Sequence, residues 1–272
     1  MTRLPISAVL SVSVIAGVLL LGGCSSTPTG DSEPGVVETP GTPSGPELSG
    51  TIVVDAAASL TESFTAIAQD FMELHPSVTV TLNFGGSSAL ATDIVDNGAP
   101  VDVFAAASAS TMETVSDAGL TDGDPVVFAT NRLQIVTPSD NPGDITGLAD
   151  FADPDAAIAV CAIEVPCGAA AQKVFEAAGI APSVDTYEQD VKAVLTKVKL
   201  GEADAGLVYV TDALAAGDTV RGIEFAESAV GTTDYPIAAL SGSASPSAAS
   251  AFVDYVLSEG IPILTAAGFA AP

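Results

Sequence analysis

The chain of 272 residues contains no tryptophan, one histidine and three cysteines, and only seven Lys and Arg stand against 34 Asp and Glu. Each shortage excludes something. Phosphate neutralisation needs Lys and Arg, so no nucleic-acid partner is expected. A Ser-His-Asp triad would depend on His75 alone, there is no G-x-S-x-G, and P-loop and dinucleotide fingerprints are missing, so the chain does not read as an enzyme. One histidine and a few cysteines make no zinc site, and acid pairs such as Asp153 and Asp155 read as solvated loop.

Long apolar runs are confined to the first residues. Arg3 provides a short positive region, Ile6 to Leu21 are almost wholly apolar, and Leu21-Gly22-Gly23-Cys24 closes the segment with small residues. The run is shorter than the ~20 residues a bilayer span needs. Residues 1–23 therefore read as an export signal, with an uncleaved helix or an ordinary signal peptide as the competing readings. The order L-G-G-C resembles a bacterial lipobox, which implies cleavage before Cys24 and lipidation of that cysteine, anchoring the exported chain at the outer face of the cytoplasmic membrane. Residues 24–48 carry Ser, Thr, Gly, acid and five prolines with almost nothing apolar, the composition of a tether. Removing the signal takes away Arg3 and no acid, leaving six basic against 34 acidic residues and a formal charge of −28. Beyond the Debye length of about 8 Å such charge is largely screened, so it does not forbid an anionic ligand. The excess acid reads as a device for solubility.

What remains is rich in small residues placed between strands and helices. TIVVDAAASLTESF (51–64) and VTVTLNFGGSSALATDI (78–94) each run from an apolar strand through Ala or Gly into serines that open a helix. A helix start carries unpartnered N–H groups and partial positive charge, which together bind anions. Further strands are expected at Val101 to Phe104, on both sides of Thr130-Asn131-Arg132, at Ile158 to Val160, at Gly206 to Val210 and near Thr232 to Leu240. Helices are expected from about Ser108, from Gly168 to Ala178, from Val191 to Leu200 and after Ser245-Pro246. The helix after Ser59 places Leu60, Phe64, Ile67, Ala68, Phe71 and Leu74 on one apolar face. The alternation gives an α/β chain of mostly parallel sheets in two lobes: residues 49–130, then 131–232, then a return to the first lobe at 233–272, with two crossings and a cleft between the lobes. Cys161 and Cys167 remain as an even pair in an oxidising compartment, read as a short-range disulfide in preference to two free thiols.

Six segments carry a resemblance in order: AAASLTESF (56–64), FGGSSALATDI (84–94), GAPVDVFAAAS (98–108), EVPCGAAA (164–171), EQDVKAVLTKV (188–198) and GLVYVTDA (206–213). In these the chain resembles the molybdate-binding proteins that feed ABC transporters, of the type II periplasmic-binding-protein fold, in an actinobacterial lipoprotein version. The resemblance implies a monomer that captures molybdate, and tungstate, between two lobes, needs no cofactor, and delivers the anion to a membrane permease subunit. It places the oxyanion ligands on Ser59 and Ser87 in the first lobe and on Cys167, Val191 and Tyr209 in the second. Cys167 stands where better-known members carry alanine, a change that a backbone N–H contact tolerates. All five residues are able to donate, and molybdate, a dianion without protons at neutral pH, only accepts. Each has a competing role from the residues themselves. Ser59 with Glu62 fits a capping box, Ser87 and Ser88 fit helix caps, Asp190 before Val191 fits an N-cap whose charge opposes an anion, and Tyr209 fits a core position. Sulfate or another tetrahedral oxyanion is the nearest alternative ligand, and an exported lipoprotein without a transport role is the alternative of another class.

Overall fold

The computed structural model describes residues 47–272, so the export signal, Cys24 and nearly all of the tether lie outside the described residues. Two five-stranded sheets organise the rest. The first lobe begins with β1 (Gly50–Ala57), a single 3-10 turn at Ala58–Leu60, α1 (Thr61–Leu74), β2 (Val78–Gly85), α2 (Ser87–Val95), β3 (Val103–Ala105), α3 (Ala109–Asp117) and β4 (Val126–Asn131). The chain then crosses at Arg132 into β5 (Leu133–Pro138), β6 (Ile158–Cys161), α4 (Pro166–Ala178), β7 (Thr186–Glu188), α5 (Val191–Lys199), β8 (Ala205–Tyr209), α6 (Val210–Ala216) and β9 (Val220–Ile223). It returns through a 3-10 segment at Ala226–Gly231 to β10 (Thr233–Ala239), α7 (Pro246–Ser258) and α8 (Ile261–Ala266).

The strand orders are β2-β1-β3-β10-β4 and β7-β6-β8-β5-β9. In the first sheet β1 runs parallel to β2 and β3, while β10 is antiparallel to both β3 and β4. In the second, β6 is parallel to β7 and β8, while β5 is antiparallel to β8 and β9. The sheets are thus evenly mixed rather than mostly parallel. The reason is connectivity: β4 leads directly into β5 and β10 comes back from the other lobe, and neither connection is the helical crossover that a parallel neighbour needs.

Each lobe has its own core. Along α1 the buried Phe64, Ile67, Ala68 and Phe71 follow helical spacing, and they meet Phe252 of α7 and Phe128 of β4. Leu74, expected on that face, is 62% exposed because it is the last residue of the helix. α2 and α3 cover the other face of the same sheet through Leu90, Ile94, Met112 and Val115. In the second lobe Val191, Val194, Leu195 and Val198 of α5 and Val174 of α4 close over β5, β6 and β8. Just after α3, α4 and α5 the backbone at Gly119, Gly179 and Gly201 has φ of 71°, 67° and 68°, a region that only glycine enters cheaply. Asn131 sits at the crossing, buried, accepting from Arg132 N–H at 2.9 Å and donating to Thr211 Oγ1 of α6 at 2.9 Å.

Candidate anion site

Between the lobes lies a small cavity lined by Ala57, Ala58, Ser59, Gly85, Gly86, Ser87 and Ala107 from the first lobe and Val165, Pro166, Cys167, Asp190, Val191 and Tyr209 from the second. All five residues expected to ligate an oxyanion therefore share one space. Its volume is about 10 Å³, on the order of a single water molecule's share of such a cavity. A tetrahedral oxyanion is larger than one water, so any solute, an oxyanion included, needs the lobes to part somewhat before it fits.

Four chain segments begin a helical turn at this cavity, and each presents N–H groups before its first internal bond. In the turn Ala58–Leu60 the Thr61 N–H bonds back onto Ala58 O, with Ser59 upstream of it. In α2 it is that of Ala89, onto Gly86 O, downstream of Ser87. In α4 Pro166 at the first position has no N–H, and Gly168 bonds back to Val165 O, so Cys167 supplies the first donor. In α5 the Ala193 N–H is taken by the carboxylate of Asp190 at 2.9 Å, downstream of Val191. Convergent helix starts of this kind place partial positive charge around one point.

The serine hydroxyls cap neither helix. Ser59 Oγ lies 2.8 Å from the hydroxyl of Tyr235 on β10, and Glu62, the other half of the expected capping box, points away to Lys192. Ser87 Oγ accepts the N–H of Ala107 at 3.0 Å. Having accepted, the Ser87 hydroxyl keeps its proton free to donate into the cavity. Ser88, expected as a cap, donates instead to Glu164 O at 2.5 Å across the cleft.

Tyr209 ends β8 and is 1% exposed, and its hydroxyl makes no hydrogen bond of good geometry; the nearest candidate, Thr233, whose Oγ1 is likewise buried, is close enough only to offset part of what burial does to the tyrosine's pKa. A buried tyrosine hydroxyl normally finds a partner, so one that lines a cavity unpaired marks a place for a hydrogen-bonding ligand. Burial raises its pKa well beyond the ordinary tyrosine value, so it stays a donor at every physiological pH. The ring stacks edge-on against Tyr235, with centroids 5.9 Å apart, and Tyr235 in turn carries the bond to Ser59. Tyr235 is a residue that sequence reasoning missed. The available signal was a tyrosine inside an otherwise apolar strand, whose hydroxyl must end somewhere.

Asp190 is the one charged residue in the lining, and one oxygen of its carboxylate accepts from the Ala193 N–H of its own helix. No group of three or more His, Cys, Asp and Glu able to hold a metal occurs among the described residues. Cys161 and Cys167 form a disulfide between the end of β6 and the start of α4. It closes a loop whose fold is tight: a methyl on Gly168 would lie 1.9 Å from Ala162 O, so only glycine fits there. A larger groove of about 580 Å³ runs along α4 on the second lobe, lined by Ile163, Phe175, Ile180 and Tyr187 with Glu164 and Glu176 at hand. It has no convergent donors and is not suited to an anion.

A family model of bacterial extracellular solute-binding proteins matches residues 52–270. The chain belongs to that family. A relative from Mycobacterium tuberculosis, the molybdate-binding protein ModA, is 40% identical over 267 residues, covering 97% of this chain and 98% of its own. Among solved structures, the periplasmic molybdate-binding protein of Azotobacter vinelandii superposes with a TM-score of 0.70 at 19% identity, over 81% of this chain and 99% of that one. The sulfate-binding protein SubI of M. tuberculosis superposes with a TM-score of 0.69 at 18% identity, over 81% and 86%. The fold is that of the type II periplasmic binding proteins, and the two superpositions are alike enough that the fold by itself does not choose the anion.

Proposed function

We propose that this family member captures molybdate, and tungstate, between its lobes and hands it to an ABC permease, as an exported protein anchored through Cys24. The observation that supports the reading is a donor-rich lining in which Asp190 is the one charged residue: Ser59, Ser87, Cys167, Val191 and Tyr209 share one small cavity, each at a helix start or with a hydroxyl. A proton-free dianion accepts from every one of them. Phosphate keeps a proton at neutral pH and needs an acceptor, for which the lining offers one carboxylate, Asp190, with one oxygen turned to the Ala193 N–H of its own helix. The 40% identity to a molybdate-binding relative along nearly the whole chain supports molybdate over sulfate. Sulfate, another proton-free tetrahedral dianion that accepts from the same donors, is the second reading.

Thermal unfolding with molybdate, tungstate, sulfate and phosphate in turn tests this. A ligand at about 100 times its Kd adds about 2.7 kcal/mol of stability. Molybdate and tungstate are expected to raise Tm strongly and phosphate not at all. A rise with sulfate and none with molybdate would replace the first reading by the second.

A further inference from the structure

One charged network outside the cavity joins the elements that carry its donors. Lys192 follows Val191 on α5, and its ammonium lies 2.8 Å from both carboxylate oxygens of Glu62 and 3.0 Å from Asp212 Oδ1. Glu62 stands in the first turn of α1, three residues after Ser59, on the other lobe. Asp212, fully buried in α6, accepts the backbone N–H of Tyr209 at 3.2 Å through its other oxygen. Lys192 does not line the cavity. Its two carboxylate partners nevertheless sit on either side of the cleft, one beside Ser59 and one beneath Tyr209.

We propose that Lys192 is a positioning residue that holds the closed form, tying Glu62 of the first lobe to the Asp212–Tyr209 unit of the second so that the two sets of anion donors stay in register. The inference rests on the reading of the cavity as an anion site. The two ion pairs differ in role. Lys192 to Asp212 lies within one lobe and persists when the lobes part. Lys192 to Glu62 crosses the cleft, where it forms on closure and breaks on opening. Although burial works against its charge, Lys192 is held above the ordinary lysine value by Asp212 and Glu62, so it remains a cation throughout. Asp212 keeps it anchored and oriented; without Glu62 the anchored ammonium faces solvent at the open cleft. Opening must therefore break one partly exposed ion pair before the anion leaves, whereas approach of the anion to the open form does not involve it.

Glu62→Gln removes the inter-lobe half and leaves the Lys192–Asp212 pair in place. Molybdate release followed by stopped flow is expected to quicken about two- to five-fold, the range open to a partly exposed pair, with the association rate unchanged. Glu62→Lys, which sets two ammonium groups against each other on closure, is expected to quicken release further. Raising salt should speed release from the wild-type protein and leave the Glu62→Gln variant indifferent, a difference that a merely structural role would not produce. Equal release rates and equal salt dependence in wild type and Glu62→Gln would overturn the proposal. Small-angle scattering of the ligand-free protein at low salt separates its failure from that of the function. If no anion binds, the anion reading falls, yet the Glu62→Lys chain should still be more expanded than the wild type. Identical scattering would then overturn the Lys192 role as well.

Discussion

The two halves of the cleft meet the same requirement by different means. In the first lobe the donors sit on stretches of alanine, glycine and serine, the turn at Ala58–Leu60 and α2 start without any side-chain cap, and the serine hydroxyls are oriented by Tyr235 and by the N–H of Ala107. In the second lobe the donors sit behind constraints: a proline and a disulfide at the start of α4, an aspartate cap on α5, and a buried carboxylate under Tyr209. The first half presents backbone that can be approached closely; the second holds its N–H groups and one hydroxyl in fixed directions. Closure brings the approachable surface onto the fixed one.

The largest break in this complementarity is expected at Gly86. A methyl there would lie 2.3 Å from the carbonyl oxygen of Gln189 on the other lobe, whereas at Gly85 it would meet only Leu90, at 3.5 Å. Gly86→Ala should therefore leave each lobe folded and obstruct closure. Overpacking costs of about 1–3 kcal/mol translate into a loss of anion affinity of about five- to 150-fold, while Gly85→Ala stays near wild type. Titration calorimetry on both variants, with the unfolding temperature of each ligand-free protein, checks the contrast. Equal affinities would show that the lobes do not approach as closely as the structure has them.

Tyr209→Phe comes next and acts on the other half. Its hydroxyl makes no protein hydrogen bond of good geometry, with only Thr233 beside it, so the ligand-free protein should be close to wild type in stability. A lost hydrogen bond to a charged ligand costs about 1.5–3 kcal/mol, so affinity should drop on the order of ten- to hundred-fold. Ser87→Ala offers the comparison, because it strands the buried Ala107 N–H and should lower stability and affinity together.

These substitutions also mark what the sequence makes legible. The strand-to-serine-to-helix segments announced the first half of the cavity because composition and local propensity alone place a helix start after a strand. The ordered family segments located Cys167, Val191 and Tyr209, and the structure brings them to the same space. Long-range partners were not legible. Ser59 turns to Tyr235, 176 residues away on β10 of the same lobe, and Ser88 turns to Glu164, 76 away on the facing lobe, so the local caps that their neighbours suggest are outcompeted by contacts that only the folded chain brings within reach. The mixed sheets were misread for the same reason: the direction of β10 depends on where the chain returns from.

A smaller effect is expected from the disulfide, which distinguishes the second half by covalent means. Replacing Cys161 and Cys167 by alanine opens a loop with a sequence separation of six, worth about 2 kcal/mol in the chain-entropy account. Chemical denaturation should register that loss. Anion affinity should fall less, since Gly168 and the Val165 N–H bond to Ala162 O still shape the start of α4. An affinity loss exceeding the stability loss would mean that the disulfide, rather than the local fold, aims the Cys167 N–H.

The finest distinction concerns charge, because the second lobe keeps a buried carboxylate next to its donors. Burial, the dominant influence, pushes Asp212 up to about 6 from the ordinary 3.8, against the pull of Lys192 and the Tyr209 N–H and with a small push from Glu62. The folded protein therefore binds this proton more tightly than the unfolded chain does. Between pH of about 4 and 6 the contribution of Asp212 to stability falls as pH rises, and above that window it is flat, a total change on the order of 3 kcal/mol. Asp212→Asn cannot titrate, and its amide oxygen still accepts from Lys192. Subtracting its unfolding free energy from that of wild type across pH 4 to 8 cancels the other carboxylates, and the difference should decline toward pH 6 and then level off. A difference that rises with pH would mean that attraction to Lys192 outweighs burial, and the second half of the cleft would then be held by its ion pair rather than straining against it.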